Sequence, residues 1–517
     1  MPKTLNLNLS PKQAASTEGW LSIAVRTLGI RREQVALARV VKRSVDARHQ
    51  TPRVLLTVEI FVDSDTLPEE VHFDYPDVNG HTPVIIVGGG PAGLFAALRL
   101  IELGLRPIIL ERGKDVVERR RDIAQIHRGV GVDGESNYAF GEGGAGTFSD
   151  GKLFTRSKKR GDYNRALQTL VFHGATPEIL YEAHPHIGTD RLPRIIEQVR
   201  ATILASGGEV HFGAKVTDIE VRDGRATGVW VGDTLVEGAA VVLSTGHSAD
   251  DIYEMLHAKG VLLEAKPWAM GVRVEHPQAL IDRIQYHSDE MREWLPAAAY
   301  TLTAQVGGRG VYSFCMCPGG VIVPAMTDYR ECVVNGMSAS ARSSRWANAG
   351  IVTEVRPEDF PHLHEEWGVL AGLKYRQELE RHAAEIVGGG GTAPAQRLRD
   401  FVERKLSFDL PRTSYLPRTE VHNGEEWLPT FMAESLRGGF KQWGSRMRGF
   451  VTNEAQIIGL ESRTSTPVRI PRDKESLQHP QVAGLYPPGE GAGYAGGIIS
   501  AALDGTRVAE KIAESVK

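Results

Sequence analysis

The chain has 517 residues, enough for about three domains. Its hydrophobic content of 41% and charged content of 24% are typical of a globular protein with sizeable cores. The net charge of −4 provides no basic field for nucleic acid or an anionic membrane, and three cysteines are too few for a disulfide framework. No apolar run approaches the roughly twenty residues of a membrane span, and no signal-peptide pattern is found, so we expect a cytoplasmic protein.

The first 80 residues predict a small α+β module. A helical pattern runs from Gly19 to Leu28, and strand patterns follow at Val35 to Val41 and at Arg53 to Val62. The basic residues of this stretch form a local cluster of Lys42, Arg43, Arg48 and Arg53. Such a cluster is usually a solvated face, and docking of RNA or of an acidic partner is the alternative.

A strand, a glycine-rich turn, a helix and a second strand come next, over residues 84–113. Gly88, Gly90 and Gly93 have the G-x-G-x-x-G spacing: the first allows a tight turn, the second lets backbone approach a pyrophosphate, and the third lets helix pack close to strand. The helix N-terminus directs N–H groups at the phosphates. Glu111 ends the second strand, placed to accept both ribose hydroxyls, which favours FAD or NAD over NADP. The contacts predicted in this unit are Gly88, Gly90, Pro91, Ala92, Gly93, Glu111 and Arg112, the last by stacking on adenine or pairing with a phosphate.

Two later segments indicate which dinucleotide is bound. Residues 240–246 form an apolar strand pattern ending in Ser-Thr-Gly, similar to the strand that runs under the cofactor of FAD enzymes. Residues 484–497 lead into a helical pattern and resemble the closing motif of FAD enzymes, with Glu490 where Asp is commoner. No second G-x-G-x-x-G unit is found, so we predict FAD and no dedicated NAD(P)H site. The contacts predicted here are Thr245, Gly246, Gly489, Glu490, Ala495, Gly496, Gly497 and Ile498.

Five longer motifs carry a family resemblance over nearly the whole chain, at residues 140–152, 271–278, 313–320, 461–469 and 489–497. The chain resembles the bacterial uncharacterised FAD-dependent dehydrogenases of the glutathione-reductase-like flavoprotein superfamily, in the subtype with a single dinucleotide site. The resemblance implies an FAD domain, a mixed-sheet substrate domain and an N-terminal appendage. It also implies that a glycine-dense loop wraps the pyrophosphate of FAD through Gly143, Gly144, Ala145, Gly146 and Thr147. Val216, in a strand-like stretch, is a candidate for contacting adenine through its backbone.

These segments predict an α/β fold: a Rossmann-like FAD-binding domain, an inserted mixed or antiparallel sheet, and the small N-terminal module. We place the module at 1–80, the first part of the FAD domain at 82–255, the inserted substrate or cap domain at 256–455, and the C-terminal part of the FAD domain at 456–517. Strands of the insertion are predicted at Trp268 to Glu275, Tyr300 to Val306, Val311 to Met316, Gly320 to Pro324 and Glu331 to Met337, and its helices at Glu365 to Ile386 and Pro394 to Phe401.

Three side chains are candidates for catalysis. Arg463 and Arg469 precede the closing motif, where related flavoenzymes place residues over the flavin, and two guanidinium groups there can clamp a carboxylate. Interdomain salt bridges are the alternative for both. His247 follows the Ser-Thr-Gly motif, and a near-neutral pKa beside the flavin would suit it to proton transfer. A strand-end histidine bonded to backbone is the alternative.

Two further motifs are assigned little chemistry. Cys315 and Cys317 are separated by one residue, whereas redox pairs near a flavin normally show C-x₂-C or C-x₄-C spacing. Ordinary buried thiols are therefore favoured, and redox activity stays open. His362 and His364 have no matching ligands at zinc-like spacing, so no metal site is predicted.

The leading hypothesis is an FAD-dependent oxidoreductase, a dehydrogenase or reductase. It would exchange a hydride between flavin N5 and a small-molecule substrate, for which the two arginines suggest an anionic group. The alternative is an RNA-associated flavoprotein that uses the N-terminal module to bind RNA or a partner, although the overall charge makes nucleic acid the weaker option. The substrate, the reaction direction, the electron donor or acceptor and the oligomeric state stay open.

Overall fold

The computed structural model describes residues 2–68, 71–155, 161–288 and 290–516. It is an α/β structure built around a five-stranded parallel sheet and a seven-stranded mixed sheet, preceded by a small three-stranded module, and this is the predicted fold class. No helix in those ranges is long and apolar enough to cross a membrane.

The N-terminal module is the predicted α+β unit with one strand more than expected. Its elements are β1 (Lys3–Leu9), α1 (Pro11–Ala14), α2 (Thr17–Leu28), β2 (Val35–Asp46) and β3 (Arg53–Val62). The antiparallel sheet has the order β1-β3-β2, and α2 buries Trp20 and Leu21 in its core. Backbone bonds between Arg43 and residues 181 and 183, of 2.8 Å each, join β2 to the nucleotide-binding part.

The basic cluster of the module is largely partnered. Arg48 forms an ion pair with Asp46 at 2.7 Å, Arg43 lies 3.5 Å from Glu182, and Arg53 donates to the Oδ1 atom of Asn8 at 2.9 Å. These contacts agree with the solvated-face interpretation, in which exposed charged side chains form ion pairs and hydrogen bonds at the surface.

The nucleotide-binding part is built on a parallel sheet of order β22-β10-β4-β5-β6, in which β22 (Leu485–Tyr486) comes from the C-terminal segment. Its first segment contains β4 (Pro83–Val87), α3 (Pro91–Glu102), β5 (Arg106–Leu110), α4 (Val116–His127), α5 (Tyr163–Phe172), α6 (Leu192–Ala205), β6 (Glu209–His211), β7 (Val216–Arg222), β8 (Arg225–Val231), β9 (Thr234–Glu237), β10 (Val241–Leu243) and α7 (Asp250–Ala258). Strands β4, β5 and β10 are almost wholly buried, as expected for parallel strands covered on both faces.

The insertion contributes a sheet of order β13-β14-β17-β12-β20-β18-β19. Its elements are β11 (Glu264–Ala265), β12 (Trp268–Pro277), α8 (Gln278–Tyr286), β13 (Thr303–Val306), β14 (Arg309–Cys317), β15 (Val321–Pro324), β16 (Val334–Met337), β17 (Trp346–Val355), α9 (His364–Trp367), α10 (Ala371–Glu385), β18 (Thr392–Arg397), α11 (Leu398–Glu403), β19 (Arg418–Val421), α12 (Gly424–Trp427), α13 (Thr430–Arg446) and β20 (Gln456–Glu461). The neighbouring strands are antiparallel except for the β18–β19 pair.

The chain then returns to the nucleotide-binding part through β21 (Val468–Arg469), β22 (Leu485–Tyr486) and α14 (Ile498–Ser515). The predicted return at residue 456 is wrong, because β20 lies inside the seven-stranded sheet and pairs with β12 and β18. The helix predicted from Pro394 is also wrong at its start. Residues 392–397 form a buried strand whose small side chains fit between neighbouring strands, and the helix begins at Leu398.

Candidate functional site

A long cleft runs along the carboxyl ends of β4, β5 and β10 and reaches the inserted sheet. Parallel α/β sheets bind ligands at this edge. Residues that the sequence singled out and that line it are Gly88, Gly90, Pro91, Ala92, Glu111, Arg112, Gly144, Ala145, Gly146, Val216, Thr245, Gly246, His247, Arg463, Gly489, Glu490, Gly496, Gly497 and Ile498. Gly93, Gly143, Thr147, Ala495 and Arg469 do not line this cleft.

The three fingerprint glycines have different surroundings. Gly88 has a φ of +99°, and a Cβ there would lie 2.5 Å from the carbonyl oxygen of Ser244. A Cβ on Gly93 would overlap the carbonyl oxygen of Gly88, so helix and strand pack closely at that point. A Cβ on Gly90 would meet only the Cα of Gly144, at 3.8 Å, and would otherwise face the cleft. Gly88 and Gly93 therefore shape the turn, and Gly90 leaves room for a ligand.

Two backbone segments, the N-terminus of α3 and the glycine-dense loop, meet in the middle of the cleft. The N-terminus of α3 begins at Gly90 and carries no side-chain cap, which leaves N–H groups and the positive end of the helix dipole to a ligand. The glycine-dense loop approaches it, and the Gly143 N–H donates to the carbonyl of Gly89 at 2.9 Å. Thr147 is buried and donates to the carbonyl of Glu142 at 2.8 Å, so Gly143 and Thr147 hold the loop and do not face the cleft.

Buried Arg119 fixes the same loop from behind. Its guanidinium donates to the carbonyl oxygens of residues 137, 138 and 142 at 2.7–3.0 Å. Burial lowers the pKa of Arg119 to about 10, against the opposing carboxylates of Glu111 and Glu142, so the side chain stays charged at neutral pH. The loop is thereby held in a fixed shape beside α3, as an anion cradle requires.

At one end of the cleft lies Glu111. Its carboxylate accepts the N–H groups of Gly89 at 2.8 Å and of Gly113 and Gly141 at 2.9 Å each. These bonds hold the carboxylate in place, and its remaining lone pairs can accept hydroxyl groups. Val216, the first residue of β7, lies on the wall nearby.

Arg112 lines this end but is already partnered. It donates to both carboxylate oxygens of Asp251 at 2.6 and 3.0 Å and to Glu135 at 2.6 Å, and it lies over the ring of Phe140. Its charge is therefore balanced by acids, which does not support the predicted phosphate contact.

The other end of the cleft is built from the closing segment and the N-terminus of α14. This helix has Gly497 at its N-cap, with a φ of +148°, and no side-chain cap. Burial raises the pKa of Glu490 to about 7, against the opposing N–H of Gly497. The Nε2 atom of His247 lies 3.6 Å from the Oε2 atom of Glu490.

The predicted near-neutral pKa of His247 is wrong. Burial, assisted by the positive charges of Arg376 and Arg463, lowers the pKa of His247 to about 4. The imidazole is therefore neutral at physiological pH, and Glu490 is the group of this pair that titrates near neutrality.

The shape and donor set of this cleft fit an FAD molecule. Glu111 suits a ribose, the two uncapped backbone segments suit a pyrophosphate, and the N-terminus of α14 suits the electron-rich edge of a flavin ring. The fold and the site thus define an FAD-binding flavoprotein, and we call the end beside Glu490 the flavin end.

Comparisons with known proteins agree. Residues 267–464 match a family described as FAD-dependent protein, C-terminal domain-like, residues 81–133 match an FAD binding domain, and residues 1–61 match a domain of unknown function, DUF8436. A Clostridium beijerinckii protein named as uncharacterized is 40% identical over 509 residues, covering 95% of this chain and 94% of that protein. The chain belongs to the same family of FAD-dependent proteins, and its cofactor is FAD.

Two further proteins are similar to this chain at lower sequence identity. A probable electron transfer flavoprotein-quinone oxidoreductase of Escherichia coli is 27% identical over 237 residues, 44% of this chain and 51% of that protein. The crystal structure of CtdE in complex with FAD covers 84% of this chain and 89% of its own, at 13% identity and a TM-score of 0.35. A score this low adds nothing to the assignment.

Arg463 lies on the cleft wall, but its guanidinium is committed to a buried charge cluster. It donates to Glu331 at 2.7 Å, to Glu380 at 2.9 and 3.1 Å, and to the hydroxyl of Thr327 at 2.8 Å. Every guanidinium nitrogen has a partner, so the interdomain salt-bridge alternative is the one that the geometry supports. The predicted substrate clamp at Arg463 is not supported.

A second cavity, of about 1970 Å³, opens beside the flavin end. The two cavities share the side chains of Lys152, Phe154, Phe314 and Cys315 and the backbone of Gly496. Arg469 and Ala495 lie on the wall of the second cavity. Arg469 is 3.6 Å from Glu264, and its buried Nε atom has no hydrogen-bond partner in the part of the chain described.

Several residues at this junction belong to no motif that assigns them a function. Asp150 and Lys152 end the glycine-rich motif, but only its glycines suggested a function, and Asn335 lies in an unremarkable strand. Cys315 is distinguished in the sequence only by its spacing from Cys317. The two cavities bring these four residues together from positions nearly 190 residues apart in sequence, from 150 to 335.

Proposed function

We propose that the protein is an FAD-dependent dehydrogenase or reductase that exchanges a hydride with a small-molecule substrate held in the second cavity. The observation that carries this proposal is the meeting of that cavity with the cleft at the flavin end, opposite Glu111. Bound FAD supplies two-electron chemistry at N5 of its ring. A substrate in the cavity would reach the ring without entering the part of the cleft that holds the adenosine.

The N-terminus of α14 would stabilise negative charge at the flavin end. It carries no side-chain cap, and Gly496 and Gly497 have no heavy atom within 4 Å of an added Cβ, so the backbone lies open to the cleft. Helix N–H groups fixed in this direction stabilise charge without having to reorganise during the reaction.

Glu490 would hold and release a proton at the same end, because its pKa of about 7 lets it titrate close to neutral pH. The Nε2 atom of neutral His247 lies 3.6 Å away, beyond hydrogen-bond distance, and its pKa of about 4 makes it the weaker base. Glu490 therefore replaces His247 as the candidate for proton transfer.

Arg469 supports an anionic substrate. Among the two predicted arginines it is the one on the cavity wall, and its side chain is 39% exposed, compared with 5% for Arg463. A carboxylate or phosphate in the cavity would find there a guanidinium group with hydrogen-bonding capacity to spare.

The test is anaerobic reduction of the FAD-loaded protein by a panel of carboxylate-bearing donors. The proposal expects at least one donor to bleach the flavin absorbance, and Ala299→Trp, on the cavity wall, to slow that bleaching while FAD content stays unchanged. Ala205→Trp, at the exposed end of α6, is the matched control and should behave like the parent protein. Equal bleaching rates in the parent and in Ala299→Trp would contradict a substrate site in the cavity.

A further inference from the structure

Two cysteines lie at the junction of the cleft and the second cavity. Cys315 and Cys317 end β14, and Cys315 lines both cavities. The pairing of β14 with β17 shifts register between Phe314 and Cys317, and Cys315 has a φ of +43°, which an L-residue rarely adopts. Residues two apart in a chain have Cα atoms at most about 7 Å apart, which is close to the upper limit that a disulfide can bridge.

The ammonium group of Lys152 contacts the sulfur atoms of both cysteines. Its Nζ atom lies 3.7 Å from the Sγ atom of Cys315, 3.5 Å from the Sγ atom of Cys317, and 3.2 Å from a carboxylate oxygen of Asp150. Arg342 in turn donates to Asp150 at 2.7 Å. One ammonium group is thus fixed between two thiols, an arrangement that favours a thiolate on one of them.

The two thiols are electrostatically different. A hydrogen bond from the thiol of Cys317, with the positive charges of Lys152 and Arg273, lowers the pKa of Cys315 against the effect of burial. The hydrogen bond with Cys315, together with burial, raises the pKa of Cys317. A thiolate beside a protonated thiol is the state from which dithiols react.

The third cysteine lacks these features. Cys332 is buried, and burial raises its pKa to about 12. It lines neither cavity, so it serves as an internal control.

We propose that Cys315 and Cys317 form a redox-active dithiol that passes two electrons to the bound FAD. The proposal rests on the proposed function, because it needs the flavin ring to lie at this junction. The Cys315 thiolate and the Cys317 thiol join in an S–S bond, with loss of one proton and two electrons. Bound FAD would be the acceptor of both electrons, and that proton together with one from solvent would balance its two-electron reduction.

The same geometry defines how the dithiol is restored. A thiol reductant that enters the second cavity meets Cys315 first, attacks the disulfide, and leaves as its own disulfide after exchange. The class of electron donor is therefore a low-molecular-weight thiol or dithiol, for which dithiothreitol is the probe.

The first experiment counts thiols without using turnover. The FAD-loaded protein is treated with diamide, denatured, alkylated and digested with trypsin. Of the three cysteines, only Cys332 should be alkylated, and the peptide that holds Cys315 and Cys317 should be two hydrogens lighter and free of label. Alkylation of all three cysteines after oxidation would overturn the proposal.

The second experiment follows electrons into the flavin. Dithiothreitol added anaerobically should bleach the flavin absorbance of the parent protein, and Cys315→Ser should slow this by about tenfold or more. Cys332→Ala should match the parent. Lys152→Met keeps both thiols but should move the pH dependence of bleaching to higher pH, because the thiolate loses its counter-charge.

The controls separate this inference from the proposed function. Each variant is compared at equal FAD content and with an unchanged visible spectrum. If carboxylate donors bleach the flavin while dithiothreitol acts equally on the parent and on Cys315→Ser, the dithiol proposal fails and the oxidoreductase proposal stands. If no FAD is retained by the parent protein, both fail.

Discussion

The five-stranded and the seven-stranded sheets border the same cleft but contribute different chemistry to it. The parallel sheet and its loops present backbone, at Gly90, at the glycine-dense loop and at the N-terminus of α14. The inserted part presents side chains, chiefly Phe314, Cys315 and Asn335. A cofactor shared by many enzymes is held by backbone geometry, whereas the groups specific to one reaction come from side chains that other folds can vary.

The largest expected effect is a loss of FAD binding, at the backbone that the parallel sheet presents to the cleft. Gly90→Val should abolish retention of FAD while leaving the fold intact, because its Cβ would meet only the Cα of Gly144, at 3.8 Å, and would otherwise occupy the space of the pyrophosphate. Absorbance of the purified protein measures FAD, and circular dichroism measures the fold. Gly131→Val, at an open position away from the cleft, is the control, and full flavin content in Gly90→Val would disprove the role of this turn.

A large loss of stability is expected where the inserted part buries charge. Arg463→Met leaves Glu331 and Glu380 buried without their main cation, which should lower the free energy of unfolding by about 3–5 kcal/mol. The exposed pair of Arg39 and Glu59 is the comparison, and Arg39→Met should cost at most about 1 kcal/mol. Denaturant titration measures the free energy of unfolding of both variants. An equal loss in Arg463→Met and Arg39→Met would show that the buried cluster does not stabilise the fold.

A smaller effect, confined to the substrate, is expected at Arg469. Arg469→Met should raise KM for an anionic donor by roughly tenfold to a hundredfold, as loss of a charged hydrogen bond of about 1.5–3 kcal/mol implies. FAD content and unfolding free energy should not change. Arg356→Met, at an ion pair that lines neither cavity, is the control, and an unchanged KM in Arg469→Met would remove this residue from the substrate site.

The smallest effect is a pH dependence in which two groups oppose each other. In FAD-free protein the raised pKa of Glu490, about 7, makes stability fall as pH rises from about 4.5 to 7, because the folded state binds the extra proton. The lowered pKa of His247, about 4, makes stability rise with pH from about 4 to 6.5. Stability of the parent protein should therefore change little from these groups across that window.

Single substitutions should reveal each contribution. With Glu490→Gln, stability should increase between about pH 4 and 6.5, and with His247→Asn it should decrease between about pH 4.5 and 7, each by about 3 kcal/mol. Unfolding midpoints measured at several pH values provide the check. Identical pH profiles for both variants would show that neither pKa is shifted as described.

The residues that hold the cofactor were easier to predict from the sequence than the residues at the flavin end, and the reason is physical. Gly88, Gly90, Gly93 and Glu111 act through local backbone geometry within one short unit, and their order along the chain is their order in space. The structure confirms the turn at Gly88 and the close packing at Gly93. The predicted phosphate contact of Arg112 is not supported, because Arg112 forms an ion pair with Asp251, which is distant in sequence.

The inserted sheet was harder to predict. β17 lies between β14 and β12 and is buried on both faces, so its sequence does not alternate. β20 belongs to this sheet although its sequence neighbours the closing segment. The role of Arg463 depended on Glu331 and Glu380, which no local pattern connects to it.

We infer that the flavin ring lies where the cleft meets the second cavity, and a crystal structure of the FAD-loaded protein would locate the ring directly. We expect Glu111 to contact the adenosine ribose and the ring to lie at the α14 N-terminus, in contact with Cys315 and Glu490. A ring beside Glu111, or a ring separated from the second cavity by protein, would refute this placement.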